Sequence, residues 1–284
     1  MKAGEEIAVL DGGELLSQLE RLLGSGLSFR QLPGGSDGLS FVVERGRRGR
    51  VALRLWHNRT IKDVVRENSV LRLLENVGVK APSPYFEYFT LSDGRVAALR
   101  LFIVGESVDE LRTEEIDEVA RSLAVLHGSS LPEHFDDSGH MWPRAWEIGF
   151  LDELERISPD LAGRCRRVRE DITQLRVEQL SKSIIHDDVS LANILRTDSG
   201  CCIIDWSDAH IDLSIADLAA ALTQLNLGSS AKRRFVDVYK ETRMDNCELE
   251  SLSTFVERRG LFMEFYRIKA SISDPTRSKA WTEI

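Results

Sequence analysis

The most informative stretch of the chain runs from His186 to Asn193 and reads HDDVSLAN, and the segment IIDW follows it at residues 203–206. Short β-rich runs lie beside both segments, and Thr197–Gly200 (TDSG) between them has the composition of a hairpin turn. Because the two strands of a hairpin pair, Asn193 and Asp205 are expected to lie close together. The stretch therefore predicts acidic and amide side chains gathered at the ends of short strands.

These residue types have the chemistry that phosphoryl transfer requires. The carboxylate of Asp205 and the amide oxygen of Asn193 are hard ligands that suit Mg²⁺ bound to phosphate oxygens. Asp188 is then left to accept a proton from a hydroxyl group. Acids and amides are common in turns, so the HxDxxxxN spacing alone is only suggestive. The apolar strand before Asp205 and the helix-opening segment DLA at residues 217–219 make the functional interpretation the stronger one.

These segments resemble those of the aminoglycoside phosphotransferase and choline kinase family of small-molecule kinases. HDDVSLAN is similar to the family's HGDxxxxN loop, Ile204–Trp206 to its IDW segment, and LAVLH at residues 123–127 to its LAxLH helix. The resemblance implies an α+β, two-lobed protein-kinase-like fold. It also implies that Asp188 is the catalytic Asp, that Asn193 and Asp205 hold Mg²⁺, and that ATP or GTP donates the phosphoryl group.

One residue of the loop departs from the family pattern, because Asp187 stands where the family has Gly. A second carboxylate beside Asp188 either is buried, where like charges shift a pKa, or points to solvent. Neighbouring side chains of an extended chain point in opposite directions, so we expect Asp187 to point to solvent. We expect His186 to support the loop rather than to transfer protons.

Residues 1–104 are predicted to form a nucleotide-binding lobe, and residues 105–284 a mainly helical catalytic and substrate-binding lobe. The first third of the chain is expected to contain strands and one helix. The runs Leu39–Glu44 and Arg50–Trp56 are rich in β-formers and joined by a turn rich in Gly and Arg. A third apolar strand is predicted near residues 96–104.

The single helix predicted in this lobe spans residues 61–77. Thr60 followed by Asp63 is typical of a capping box, and Gly78 supplies a helix stop. The helical spacing places Glu67 on the buried stripe, where a carboxylate is costly unless it is paired. Arg54, on the strand before the helix, is the expected partner, which matches the ion pair of kinases. The alternative is that Glu67 lies at the margin of the stripe and reaches water.

Three groups of residues are predicted to contact the nucleotide. The segment VALR at residues 51–54 resembles the VAIK strand of kinases, with Arg54 where Lys is usual, and Ala52 and Arg54 are predicted to contact the nucleotide. The glycine cluster with Gly35 and Ser36 precedes a strand and is expected to cover the phosphates, although such a cluster is as often a plain turn. The connector to the second lobe is expected to meet the base through its backbone or, alternatively, to be a buried strand end: Leu101, Phe102 and Ile103.

The acceptor site is less explicit in the sequence. Asp208 and His210 follow Asp205 closely, and Glu264 lies near the C-terminus. Acidic groups there suit an amine-bearing alcohol such as an aminoglycoside, but they are equally typical of a solvated face. Trp142 and Trp146 either stack on a ligand or, as we expect, pack helices.

Composition excludes several classes of protein. The chain carries 37 basic and 46 acidic side chains, a net charge of −9, which argues against general affinity for nucleic acid. No run of apolar residues approaches the length of about 20 that a membrane helix needs. The first ten residues, MKAGEEIAVL, lack the long apolar core of a secretory signal. We therefore expect a cytoplasmic monomer or homodimer.

The sequence favours an enzyme that transfers a phosphoryl group to a small-molecule hydroxyl. A catalytically silent pseudokinase that binds nucleotide and a protein partner is the alternative, because Arg54, Asp187 and the glycine cluster depart from the usual kinase patterns. A metabolic kinase for homoserine, choline or a sugar also stays open, and a role in metabolism is not separated from one in antibiotic resistance.

Overall fold

The computed structural model describes residues 13–33, 38–46, 49–131, 135, 150–243 and 249–273. The chain divides into two compact units, residues 1–106 and residues 107–284. In the described ranges, no helix is both long enough and apolar enough to cross a lipid bilayer.

The first unit is built on an antiparallel sheet of five strands in the order β1-β2-β3-β5-β4. Two helices accompany the sheet in the described part of this unit. In chain order the elements are α1 (Glu14–Leu23), β1 (Ser28–Gln31), β2 (Gly38–Glu44), β3 (Arg50–Trp56), α2 (Ile61–Val77), β4 (Glu87–Thr90) and β5 (Val96–Leu101).

Strand β3 separates an apolar face from a polar one. Val51, Leu53 and Leu55 are buried in a core that also takes in one face of α1. The expectation of a single helix in this region was wrong, because α1 is a second one. Its leucines at positions 15, 19 and 23 recur at helical spacing and are buried against the sheet.

Helix α2 begins and ends at the residues that the sequence predicts. The backbone N–H of Thr60 donates to Oδ2 of Asp63 at 2.8 Å, and the capping box is complete. Gly78 ends the helix with φ of 76°, a left-handed conformation that glycine adopts without strain. Asn68 joins the helix to the segment before β4, because its amide accepts from the N–H of Tyr85 and donates to the Tyr85 carbonyl.

The second unit is mainly helical, as expected. Strand β6 (Glu106–Ser107) lies at the boundary of the units. The helices are α3 (Thr113–Gly128), α4 (Phe150–Ile157), α5 (Pro159–Gln174), α6 (Ser214–Gln224), α7 (Ser229–Arg243) and α8 (Leu252–Ser273). The strands are β7 (Lys182–Ile185), β8 (Ile194–Thr197), β9 (Gly200–Ile203) and β10 (His210–Leu213).

Two antiparallel strand pairs in this unit carry the loops that the sequence singles out. Strands β8 and β9 form the predicted hairpin, with Ile194 opposite Ile203. Strand β7 pairs with β10, with Ile185 opposite His210. The helices pack around these pairs, α3 against β7 and α7, and α8 against α5 and α6. The loop after β7 is thereby held among buried elements.

Candidate active site

Asp188 lies in the loop that follows β7, and its side chain is exposed. The Nδ2 atom of Asn193 donates to Oδ2 of Asp188 at 2.8 Å and to the Asp188 carbonyl at 2.9 Å. The Nε2 atom of Gln224, at the end of α6, donates to Oδ1 of Asp188 at 2.6 Å. Both carboxylate oxygens are therefore oriented by amide donors while the group stays accessible to solvent.

His186 connects the two halves of the site. Its ring is fully buried and lies 4.4 Å from the ring of Trp206 in an edge-on arrangement. The backbone N–H of Asp188 donates to Nδ1 at 3.2 Å, and Nε2 lies 2.9 Å from the carbonyl of Ile204. A backbone N–H is only a donor and a carbonyl only an acceptor, so Nε2 carries the hydrogen. The imidazole thus links the backbone at residue 188 to the residue before Asp205, in the supporting position expected of it.

The β8–β9 hairpin brings Asn193 next to the segment that carries Asp205. The ladder continues beyond the strands, because the N–H of Ile204 donates to the carbonyl of Asn193 at 2.9 Å. Asp205 has φ of 65°, and its Oδ1 accepts from the hydroxyl of Ser207 at 3.1 Å. A left-handed conformation is uncommon outside glycine and is found where the surrounding structure enforces it, often at functional sites.

Asp217, in the first turn of α6, holds the backbone of the same loop through hydrogen bonds. The carboxylate is completely buried and accepts from the backbone N–H of His186 at 2.9 Å and of Asp187 at 2.8 Å. His127 of α3 contacts it through Nε2 at 3.1 Å and contacts Tyr239 through Nδ1 at 2.8 Å. Burial alone would raise the pKa of Asp217, but the hydrogen bond and charge of His127 hold it below its ordinary value. The motif residues 127 and 217 are therefore structural anchors.

Asp187 does not point to solvent, so the expectation from alternation was wrong. Its side chain is 15% exposed and pairs with Arg259 of α8, whose Nη1 donates to Oδ1 at 2.9 Å. The prediction assumed an extended chain, whereas Asp187 has φ of 65°. The left-handed backbone turns this carboxylate towards α8.

Ala52 and Arg54, which are predicted to contact the nucleotide, share the polar face of β3 in the first unit. Glu67 is buried, 2% exposed, which confirms the helical spacing argument. Its partners include Arg100 of β5 at 3.6 Å and the hydroxyl of Tyr85 at 3.1 Å. The guanidinium of Arg54 lies over the ring of Trp56, 5.2 Å from its centre. Arg100 is opposite Ala52 in the ladder, so both arginines share this face.

The other residues predicted at the nucleotide are only partly described. Leu101 ends β5 and is 58% exposed, which does not fit a buried strand end, and Phe102 and Ile103 are half-buried. The predictions for Gly35 and Ser36 fall on residues 34–37, outside the described residues.

The residues predicted near the acceptor occupy three different surroundings. Asp208 is half-buried, and its carbonyl lies 2.8 Å from Nδ1 of His210. His210 is only 2% exposed. Glu264 of α8 pairs with Arg164 of α5 at 2.9 Å. Trp142 and Trp146 lie outside the described residues.

The donor set fits a cation that also binds phosphate. In the described part of the chain, no cluster of three or more His, Cys, Asp or Glu side chains is placed to hold a metal. Mg²⁺ commonly takes only one or two carboxylates from the protein and completes its shell with water and phosphate oxygens. Because Nδ2 of Asn193 contacts Asp188, its Oδ1 faces away from that carboxylate and joins Asp205 as a candidate ligand.

Comparison with known proteins identifies the family. The model of a phosphotransferase enzyme family matches residues 28–245. The chain belongs to this family. It is therefore a small-molecule kinase, which confirms the resemblance drawn from the HDDVSLAN, IDW and LAVLH segments.

Solved structures confirm the protein-kinase-like fold. A microcompartment-associated aminopropanol kinase is 18% identical with a TM-score of 0.67, covering 88% of this chain and 87% of its own. Choline kinase LicA from Streptococcus pneumoniae is 15% identical with a TM-score of 0.67, covering 91% and 90%. Amicoumacin kinase hAmiN, solved with AMP-PNP, Ca²⁺ and Ami, is 13% identical with a TM-score of 0.69, covering 94% and 89%. At these identities the likeness concerns the fold alone.

Gln224 and Arg100 are site residues that sequence reasoning missed. Gln224 lies seven residues after Asp217 on α6, so helical periodicity places both on one face. That seven-residue spacing is visible in the sequence. Arg100 had no comparable signal, because its position opposite Ala52 depends on the pairing of β3 with β5.

Proposed function

We propose that this phosphotransferase transfers the terminal phosphoryl group of ATP or GTP to a hydroxyl of an amine-bearing small molecule. The observation that carries the proposal is the arrangement around Asp188, an exposed carboxylate oriented by Asn193 and Gln224. His186 ties this loop to the residue before Asp205, so the base and the candidate metal ligands share one support.

Asp188 is the general base in this proposal. Its carboxylate accepts the proton of the acceptor hydroxyl as the hydroxyl oxygen attacks the terminal phosphorus. The new oxygen–phosphorus bond forms while the bond from that phosphorus to the bridging oxygen breaks, and the nucleoside diphosphate leaves. Positioned proton transfer of this kind contributes roughly 10²–10⁴-fold to a rate.

Asn193 and Asp205 are proposed to hold Mg²⁺. The ion, when bound, supplies positive charge that neutralises the phosphate oxygens. The chain supplies the geometry: the Asn193 amide donates to Asp188 through nitrogen, and the Ser207 hydroxyl orients the Asp205 carboxylate. One amide therefore serves both the base and the cation site.

The nucleotide is proposed to bind to the first unit. Arg54 would meet phosphate oxygens in the place of the usual Lys, and its planar guanidinium can donate two hydrogen bonds at once. Ala52 shares this face of β3, and Glu67 with Arg100 supports it from α2 and β5. The connector Leu101, Phe102 and Ile103 would meet the base through its backbone groups, and Gly35 and Ser36 would cover the phosphates.

The acceptor is proposed to be an alcohol that carries an amine. Two proteins of the same fold are named as kinases of aminopropanol and choline, which are alcohols with an amine or a quaternary ammonium group. Asp208, His210 and Glu264 are the proposed acceptor-side residues. Asp208 would attract such a cation, and Glu264 would do so by exchanging its partner Arg164 for the amine. Homoserine and sugars are the alternative acceptors.

The test is a nucleotide-consumption assay with a panel of acceptors: 1-amino-2-propanol, choline, kanamycin, spectinomycin, homoserine and glucose. Turnover of one member is expected to fall by about 10²–10⁴-fold in Asp188→Asn. Asp198→Asn is the matched control, because Asp198 is an exposed carboxylate in the turn between β8 and β9. Asp188→Asn turnover equal to that of the control would refute the assigned base, and nucleotide binding without consumption would favour the pseudokinase.

A further inference from the structure

The side chain of Arg259 on α8 donates two hydrogen bonds to Asp187, the residue before the proposed base. Its Nη1 atom donates to Oδ1 of Asp187 at 2.9 Å, and its Nη2 atom donates to the backbone carbonyl of Asp187. The side chains of Arg259 and Asp187 are 10% and 15% exposed. Paired donors from a guanidinium to two oxygens are strong and directional. The contact therefore constrains both the side chain and the peptide of Asp187.

The backbone of Asp187 needs this support. With φ of 65°, Asp187 is in the left-handed region, which costs free energy in any residue with a Cβ and is free of that cost in glycine. Its N–H is held by Oδ1 of Asp217 at 2.8 Å, and its carbonyl is held by Arg259. Both backbone polar groups of Asp187, its N–H and its carbonyl, are therefore held by side chains. Because Asp188 is the next residue, the conformation of Asp187 sets where Asp188 lies.

Arg259 also makes a contact within its own helix. The guanidinium lies over the ring of Phe262, 5.4 Å from its centre. Arg259 is therefore committed to the loop and to its own helix.

We propose that Arg259 is a positioning residue for the reaction: it holds Asp187 in the left-handed conformation and thereby sets the direction of Asp188. The inference rests on the proposed role of Asp188 as base. It assigns a function in turnover to α8, a helix that neither the HDDVSLAN segment nor the IDW segment predicts.

The proposal is tested by combining Arg259→Ala with Asp187→Gly. Glycine adopts the left-handed conformation without support, so Asp187→Gly should make Arg259 dispensable. We expect Arg259→Ala to lower kcat at least tenfold, with KM for ATP changed less than twofold. We expect Asp187→Gly to stay within threefold of the wild type, and the double variant to recover the kcat of Asp187→Gly. An equal loss of kcat in both backgrounds would overturn the proposal.

Two controls keep the test decisive. Arg267→Ala removes an exposed arginine from the same helix and should leave kcat unchanged. If Arg259→Ala fails to fold, Arg259→Lys replaces it, with an expected intermediate loss of kcat that Asp187→Gly again rescues. A loss without rescue would then contradict the proposal.

Hydrogen exchange separates this inference from the proposed function. In the full chain without nucleotide, Arg259→Ala should speed the exchange of the backbone amides of Asp187 and Asp188 at least tenfold, and Arg267→Ala should not. Unchanged exchange together with unchanged kcat would overturn the positioning role while Asp188→Asn still tests the base. If Asp188→Asn retains full turnover, the proposed base fails whatever the exchange shows.

Discussion

The Nε2 atom of Gln224 lies 2.6 Å from Oδ1 of Asp188, on the oxygen opposite to the one that Asn193 contacts. Gln224 is the last residue of α6 and Asp217 lies in its first turn, so one helix both anchors the backbone of the loop and orients its exposed carboxylate. The amide must present nitrogen to the carboxylate, because two oxygens would repel.

Replacing Gln224 by Leu should slow turnover without destabilising the fold. The variant removes a donor to a charged group but keeps most of the side-chain volume, so kcat is expected to fall on the order of tenfold. Thr223→Val is the matched control, since the Thr223 hydroxyl donates to the Ala219 carbonyl within α6. Steady-state kinetics with the acceptor panel measure kcat. An equal kcat in Gln224→Leu and Thr223→Val would show that Gln224 does not contribute to turnover.

Loss of the proposed cation ligands should change the dependence of turnover on Mg²⁺. Asp205→Asn removes a negative charge, and Asn193→Leu removes an amide oxygen, so each should raise the half-saturating Mg²⁺ concentration by on the order of tenfold or more. Titration of Mg²⁺ at saturating ATP measures the shift. Asp198→Asn should match the wild type, and an unchanged midpoint in Asp205→Asn would contradict the assignment.

Gly38→Ala should weaken the sheet of the first unit. A Cβ at this position would lie 2.3 Å from the carbonyl oxygen of Leu55, so β2 and β3 must move apart. The expected cost in the free energy of unfolding is about 1–3 kcal/mol, as for other overpacked sites. Gly163→Ala in α5 is the control, because its nearest neighbour is 4.0 Å away and alanine favours helix by about 0.5–1 kcal/mol. Urea denaturation measures the free energy of unfolding, which should fall in Gly38→Ala and rise in Gly163→Ala. A change in the same direction in both variants would contradict this account.

Glu115 should make the second unit sensitive to acid. The Arg196 side chain lowers the pKa of Glu115 to about 2 despite burial, with help from the backbone N–H of Arg112. A depressed pKa in the folded state stabilises the protein above the ordinary value of 4.5, and that contribution is lost as pH falls towards about 2. Glu115→Gln should therefore cost about 1–2 kcal/mol at pH 7.

The stability gap between wild type and Glu115→Gln should narrow below about pH 4.5. Urea denaturation at several pH values between 7 and 3 measures it. Glu114→Gln is the matched control, because Glu114 is exposed in the same first turn of α3. A difference in the free energy of unfolding that stayed constant over this range would show that the charge of Glu115 is not what stabilises the fold.

Local sequence patterns predict those helices and strands whose formation depends on residues close by in the sequence. The runs that became β2 and β3 alternate and flank a turn, and α2 carries both a cap and a stop. The short strands β4 and β10, of four residues each, lack such signals and depend on pairing with β5 and β7. Helix α1 did carry a leucine period, which was overlooked.

The site residues also fall into two groups, those that are close in the sequence and those that come together only through the packing of distant elements. Asn193 and Asp205 flank one hairpin, so the local sequence was enough to predict that they lie near each other, and Asp188 is only five residues before Asn193. Arg259 reaches Asp187 across 72 residues, and Arg100 reaches Glu67 from a neighbouring strand. Such partners are set by the packing of whole elements, which no local pattern contains. The orientation of Asp187 failed for a related reason, because one left-handed residue reverses the alternation of an extended chain.

Phosphorus NMR of ATP, Mg²⁺ and the acceptor panel tests the central claim most directly. With the wild type and one amine-bearing alcohol, the γ-phosphate signal should be replaced by a phosphomonoester signal of the acceptor, together with ADP. Asp188→Asn should leave the spectrum of ATP unchanged over the same time, and Asp198→Asn should behave as the wild type. Phosphomonoester formed equally fast by Asp188→Asn, or none formed from any acceptor with ATP or GTP, would contradict the account.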